Sequence, residues 1–275
     1  MRTIFATAAA LVVASGSASA DGVYKNPYSY SGPVLYNWSG FYVGGNAGFA
    51  WGNSDATTTT DCPATNPPGY VCSQNTPSTP NVSVVDAAGS GTSHPNGFTG
   101  GGQAGYNLQS GSFVYGVEVD FGALNLNASR SGSGAWPVPG PPTPFTTGSS
   151  ISTDWLFTAR GRLGWTISHV MIYATGGLAV TDLHVANFYQ DNLALGGREN
   201  SSNTDTKTGW TVGGGLEMAL DNHWSLKGEY LFVDFNDVST TGNITNPANA
   251  AFANPLSVSE DLSVHIARAG INYRF

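Results

Sequence analysis

His265-Ile-Ala-Arg-Ala-Gly-Ile-Asn-Tyr-Arg-Phe275 decides the fold, because its side chains are of two kinds that alternate. His265, Ala267, Ala269, Ile271, Tyr273 and Phe275 take one parity, and Ile266, Arg268, Gly270, Asn272 and Arg274 the other. Successive side chains of a strand point to opposite faces, whereas a helix repeats every 3.6 residues, so the stretch predicts a β-strand. One of its faces is apolar and ends on an aromatic ring.

Seven earlier segments share the period of two: about Phe41 to Gly52, Phe98 to Leu108, Phe113 to Ala123, Asp154 to Trp165, Val170 to Thr181, Gly209 to Leu220 and Trp224 to Phe235. The connections alternate in length. Gln109 to Ser112, Thr166 to His169 and Asp221 to His223 have hairpin length, while about Asn53 to Gly97, Asn125 to Thr153, Asp182 to Thr208 and Asn236 to Val258 are long and polar. Short turns at one end and long loops at the other predict an all-β, eight-stranded antiparallel transmembrane up-and-down β-barrel, with short periplasmic turns and long extracellular loops. Proline tests the boundaries, since a strand paired on both sides cannot spare the N–H that Pro lacks. All 15 prolines fall outside the eight segments.

Arg2, the apolar run Ile4 to Ala14 and the small-residue site Ala18-Ser19-Ala20 predict a secretory signal peptide over residues 1–20. Residues 21–37 then form a periplasmic lead, and residues 38–275 the barrel. No stretch offers the roughly 18 consecutive apolar residues of a membrane helix. Loss of residues 1–20 removes Arg2 and no acid, taking the formal net charge from −8 to −9, which argues against nucleic acid as a partner. Only 10% of residues are charged, against 7 Trp, 12 Tyr and 13 Phe, a balance suited to a sheet facing lipid. Cys62 and Cys72, the only thiols, lie close together in a Pro-rich segment of an exported chain, which predicts a loop disulfide. Neither CxxC spacing nor neighbouring His supports a metal pair, and no metal site or cofactor is expected.

Trp51, Trp155 and Trp210 fall at the long-loop ends of the segments, and Trp38, Trp165, Trp224 and Phe275 at the short-turn ends, as two aromatic belts would require. The opposite face is small and polar, with mid-strand charges: Glu118, Asp120, Arg160, Arg162, Glu217, Lys227, Glu229 and Arg268. An eight-stranded barrel has an interior only wide enough for side chains to fill. These residues therefore predict an interior charge network, with Arg160 and Arg162 pairing with Glu118 and Asp120 across neighbouring strands. Buried charges must be paired to be tolerated.

Trp38-Ser-Gly-Phe-Tyr-Val-Gly-Gly-Asn-Ala-Gly-Phe-Ala-Trp-Gly52 resembles the opening strand of the small outer-membrane antigen barrels of alphaproteobacteria. Tyr173 to Ala179, Gly209 to Glu217, Trp224 to Phe235 and Gly270 to Phe275 resemble further strands of that family, so the likeness covers Trp38 to Phe275 apart from the loops. The resemblance implies kinship with the membrane domain of outer-membrane protein A and residence in the Gram-negative outer membrane. Its implied partners are outer-membrane lipid and lipopolysaccharide, and the barrel assembly machinery, which would read Ile271, Tyr273 and Phe275 as an assembly signal. The absence of a following peptidoglycan-binding segment argues against the cell-wall anchoring of two-domain relatives.

The function expected is structural: envelope integrity and presentation of surface loops as an antigen. A small-solute porin is the first alternative, disfavoured by the segment count. Loop-mediated binding of haem or of a host surface is the second, with His94 and His184 in or beside long loops. Catalysis is not expected, because the rim pair Asp182 and His184 lacks a nucleophile motif. Gly100-Gly101-Gly102 and Gly213-Gly214-Gly215 precede neither a helix nor a Lys-Ser/Thr pair, so they are strand glycines rather than phosphate loops.

Overall fold

A computed structural model describes residues 36–62, 71–72, 80–136, 142–193, 195–248 and 253–275. The expected signal peptide, residues 1–20, and residues 21–35 of the lead lie outside the described residues. The elements are β1 (Gly40–Thr60), α1 (Asn81–Gly89), β2 (Gly91–Ser93), β3 (Asn96–Ser110), β4 (Phe113–Trp136), β5 (Thr143–Ile167), β6 (Val170–Asp191), β7 (Arg198–Ala219), β8 (Trp224–Ile244) and β9 (Asn254–Arg274). All strand pairings are antiparallel between neighbours in order, and β1 also pairs with β9 from Tyr42↔Arg274 to Thr60↔Leu256. The sheet thus closes into a barrel, with β2 a short strand on the edge of β1. Residues Ser110 to Phe113 and Ile167 to Val170 make the tight turns, with Gly111 at φ 61° and Ser168 at φ 56° in the left-handed region such turns require.

Three of the four long connections are mostly strand, not loop; the first extends β1 to Thr60 and also carries α1. A membrane crossing takes about 9–11 tilted residues, yet β5 runs for 25 and β4 for 24. Trp155 and Trp165 already bracket the lipid-facing band on β5, so Thr143 to Thr153 projects beyond it. The same holds for the upper parts of β1, β4, β6, β7, β8 and β9. Their sequences hide the pattern because Thr and Ser, which fit a pleated surface, stand on both faces. Among the described residues, two prolines therefore fall within strands. Pro144 and Pro255 are each the second residue of a strand, laddered on one side only, where the missing N–H goes unused.

Irregular register at Ala123/Leu126, Ser152/Phe157 and Phe235/Val238 separates the membrane half from this extension. On β5 the irregularity reverses parity. Leu156, Thr158, Arg160 and Arg162 are the buried set below it, and Phe145, Thr147, Ser149, Ile151 and Thr153 above. β8 changes likewise, from Leu231, Val233 and Phe235 to Val238, Thr240 and Ile244. A bulge inserts one residue and re-aims every side chain beyond it.

Candidate functional site

The interior is filled in successive layers. At the periplasmic end, Tyr36 and Trp38 pack with Val114, Met171, Tyr173 and Ala219. Trp38 was expected in the periplasmic belt; instead it is 2% exposed, its indole 4.8 Å from the Tyr36 ring. The reason is that it precedes β1 and escapes strand parity, and its backbone N–H donates to Gln109 Oε1 at 2.7 Å, which holds the residues just before β1 against the periplasmic end. Trp165, Trp224 and Phe275 do face outward, as do Trp51 and Trp210.

Above that plug, all eight charged residues singled out in the sequence come together, each at most 6% exposed. Register explains who meets whom. Glu118 stands directly opposite Arg160, but Arg162 stands opposite Gly116, one row nearer the periplasm than the acids of β4. Arg160 therefore reaches Asp120 Oδ2 at 2.8 Å, Glu118 Oε1 at 2.5 Å and, across the lumen, Glu229 Oε1 at 3.0 Å. Arg162 does not pair with Glu118 or Asp120; it pairs with Glu217 on β7 and lies 3.7 Å above the Tyr173 ring. Lys227 Nζ donates to both oxygens of Glu118, at 3.0 and 3.1 Å. Arg268 joins Glu229 at 2.6 Å and Asp120 at 3.1 Å.

Neutral side chains saturate the remaining acceptors. Tyr42 donates to Glu118 Oε2 at 2.7 Å, Tyr173 to Glu229 Oε1 at 3.0 Å, Thr158 to Asp120 Oδ2 at 2.6 Å, and Ser225 and Asn272 to Glu217 Oε1 at 2.5 and 2.9 Å. The charge-bearing residues alone do not point to these partners, although Tyr42 shares its parity with Asn46 on the inward face of β1. Gly105 makes room for Tyr42: a Cβ there would lie 2.4 Å from the phenol oxygen. Charges equal in number and opposite in sign, with their lone pairs filled, meet the conditions under which buried ions are tolerated.

From just below the irregular register upward the interior turns apolar rather than polar. Leu124, Leu126, Leu156, Leu183, Leu231, Phe235, Leu262 and Ile266 belong to one buried cluster. A second cluster caps the extracellular end, where Val71 and Val85 meet Trp136, Phe145, Tyr189, Ile244 and Leu256. α1 occupies the wall where β3 has ended. Asp86 of α1 accepts from the Thr60 N–H at 2.8 Å and its hydroxyl at 2.7 Å, and Arg130 of β4 donates to Gly89 O at 2.7 Å. Burial pushes the Asp86 carboxyl up from its ordinary value, against the pull of the Thr60 bonds. Cys62 and Cys72 are joined as a disulfide with Cα atoms 5.6 Å apart, and the adjoining Val71 N–H donates to Asn254 Oδ1 at 2.5 Å. The crevice beside Trp38, Asn107, Glu217 and Asn272 amounts to about 10 Å³, at the lower limit for one water.

The remaining residues of interest lie outside this core. Ile271 and Phe275 are exposed on the outer wall, and Phe275 N–H donates to Phe41 O at 3.0 Å across the closing seam. Tyr273 packs on Trp224 at 5.1 Å. Asp182 and His184 have separate partners, Thr206 with Trp155 and Thr204 respectively, while His94 bonds Asn53. Among the described residues no group of His, Cys, Asp and Glu is arranged to hold a metal ion.

The family model described as outer membrane protein beta-barrel domain matches residues 6–275. The chain belongs to this outer-membrane barrel family. Among relatives, the 31 kDa outer-membrane immunogenic protein of Brucella melitensis is 30% identical over 280 residues, spanning 100% of both chains. The 22 kDa outer membrane protein of Rhizobium leguminosarum is 30% identical over 52% of this chain and 54% of its own. Among solved structures, the outer membrane protein OprG of Pseudomonas aeruginosa aligns over 88% of this chain and 99% of its own, at 13% identity and a TM-score of 0.45. As a member of the outer-membrane barrel family, the protein resides in the outer membrane.

Proposed function

We propose that this outer-membrane protein is a closed scaffold that anchors a surface-exposed β-extension, contributing to envelope integrity and acting as a surface antigen, rather than a channel for solutes. The observation carrying this reading is the uninterrupted sequence of buried layers: the Trp38 plug, the ion network around Arg160, the aliphatic core and the α1 cap. A diffusion pore needs a continuous polar path, and three of these layers are apolar. The extension supports the antigen reading, since its outward residues are largely Ser, Thr, Asn and Asp, and the Brucella relatives are named immunogenic proteins. The outward band from Phe41 to Trp51 would face lipid, and the Ile271, Tyr273 and Phe275 edge would be what the assembly machinery engages. Liposome swelling tests the reading: refolded protein should admit small sugars no faster than protein-free liposomes, and antibodies to the extension should label intact cells. Rapid sugar entry would favour a porin, and absence of labelling would remove the antigen role.

A further inference from the structure

The β7–β8 ladder runs from Ala219↔Ser225 to Gly209↔Phe235 and then stops. It resumes only at the single bridge Arg198↔Thr245, closed by hydrogen bonds of 2.8 and 3.0 Å. Between these points the two strands form a seam without backbone pairing. Glu199 lies inside it, 3% exposed, with its carboxylate against the β8 backbone: a Cβ on Gly242 would fall 1.9 Å from Glu199 Oε1. Ser201 sits on the same face of β7, directly opposite Asn187 of β6, which is 5% exposed. Neither polar atom of the Asn187 side chain has a hydrogen-bond partner in the protein, and the Glu199 carboxylate has only the Ser201 hydroxyl beside it, too poorly placed for a well-formed hydrogen bond.

Among the described residues no base is placed to meet this carboxylate. Arg160, Arg162, Lys227 and Arg268 are committed to the membrane half, Arg130 to Gly89, and Lys207 to Asp205. Arg198, adjacent on β7, points to the exposed face. A buried carboxylate without a positive partner is costly, so it must take its counter-charge from solution. The donors gathered here are a carboxylate, an amide carbonyl and a hydroxyl, all oxygen, which is the ligand chemistry of hard cations. Burial also pushes the Glu199 carboxyl up, with the nearby Ser201 hydroxyl pulling the other way, as befits a group short of positive charge.

We propose that Glu199, Asn187 and Ser201 form a site for a hard cation of the calcium class, which joins β7 to β8 where their backbone ladder is interrupted. The remaining ligands would be water and carbonyls of the unpaired strand edges.

The test uses the full refolded chain in lipopolysaccharide-free detergent, with CaCl2 as the probe and its binding followed by calorimetry and by the midpoint of thermal unfolding. The wild type should bind Ca2+, and its midpoint should rise with the logarithm of free Ca2+. Glu199→Gln should fold, lose about 10- to 100-fold or more in affinity, and show no such rise. Asn187→Ala should lose less, and Asp261→Asn, on the outer wall, should bind as the wild type does. An equal response in wild type and Glu199→Gln would overturn the proposal. So would no response in the wild type to Ca2+, with Glu199→Gln equally or more stable, because the carboxyl would then carry a proton instead.

Discussion

The membrane half and the extracellular extension are made of the same strands yet bury opposite kinds of residue. Below the irregular register, Phe157 and Leu163 of β5 face outward and Arg160 and Arg162 inward; above it, Ser150 faces outward and Ile151 and Phe145 inward. The solvent outside changes from lipid to water, so the economical arrangement inverts. In lipid, burial of apolar groups brings no gain over leaving them outside, and cohesion passes to hydrogen-bonded ion pairs, which must be complete. In water the ordinary hydrophobic effect applies, and an incomplete aliphatic contact is only a cavity. A defect in the lower half should therefore cost more than one of similar size in the upper half.

The strongest way to break this comparison is Arg160→Ala, which removes the cation shared by Glu118, Asp120 and Glu229 and leaves four buried acids to three bases. Urea unfolding in lipid vesicles should show a loss of about 3–5 kcal/mol, with the heat-resistant gel band lost at lower temperature. Next comes Ile151→Ala in the aliphatic core above the irregular register, 3% exposed, which should cost about 2–5 kcal/mol by cavity formation. If Ile151→Ala proved clearly worse than Arg160→Ala, the contrast between the halves would be wrong.

Cys72→Ser sharpens the comparison by acting on the cap alone. Opening the Cys62–Cys72 link frees the segment that brings Val71 into the apical cluster, at a cost of about 2–4 kcal/mol. Limited proteolysis should then cut the extension while leaving a protected membrane fragment.

The smallest effect is expected from the outer wall just above the belt. Asp261, cross-strand from Asp55, has its carboxyl pushed up to about 6, first by a hydrogen bond with Asp237, then by burial and by the charges of Asp237, Asp55 and Asp234. A carboxyl raised in the folded state disfavours that state when ionised. The penalty is in full force above pH 6 and disappears as pH falls towards the ordinary 3.8. Asp261→Asn should thus raise the unfolding midpoint slightly at pH 8 and leave it unchanged at pH 4. A gain of equal size at both would deny the charge origin.

The sequence discloses the two halves unequally for the same physical reason. In the membrane half, large apolar residues alternate with small or charged ones, as at Tyr115, Val117 and Val119 against Glu118 and Asp120, so period and parity stand out. In the extension, Thr143 to Thr153 places Thr and Ser on both faces, and the bulges reverse parity in β5 and β8. Alternation alone therefore shows loops where there are strands. Of the interior site, parity discloses which charges turn inward. The choice of Glu217 by Arg162 depends on register and on reach across the lumen, which no single segment contains. Trp38 fails for a simpler reason: it lies outside any periodic segment, so nothing in its neighbours signals that its ring turns inward.

Single-channel recording of the refolded wild-type protein in planar bilayers tests the central claim most directly. The layered interior predicts a flat baseline at concentrations where insertion is verified by protease protection. A stable, large open level in the wild type would contradict it.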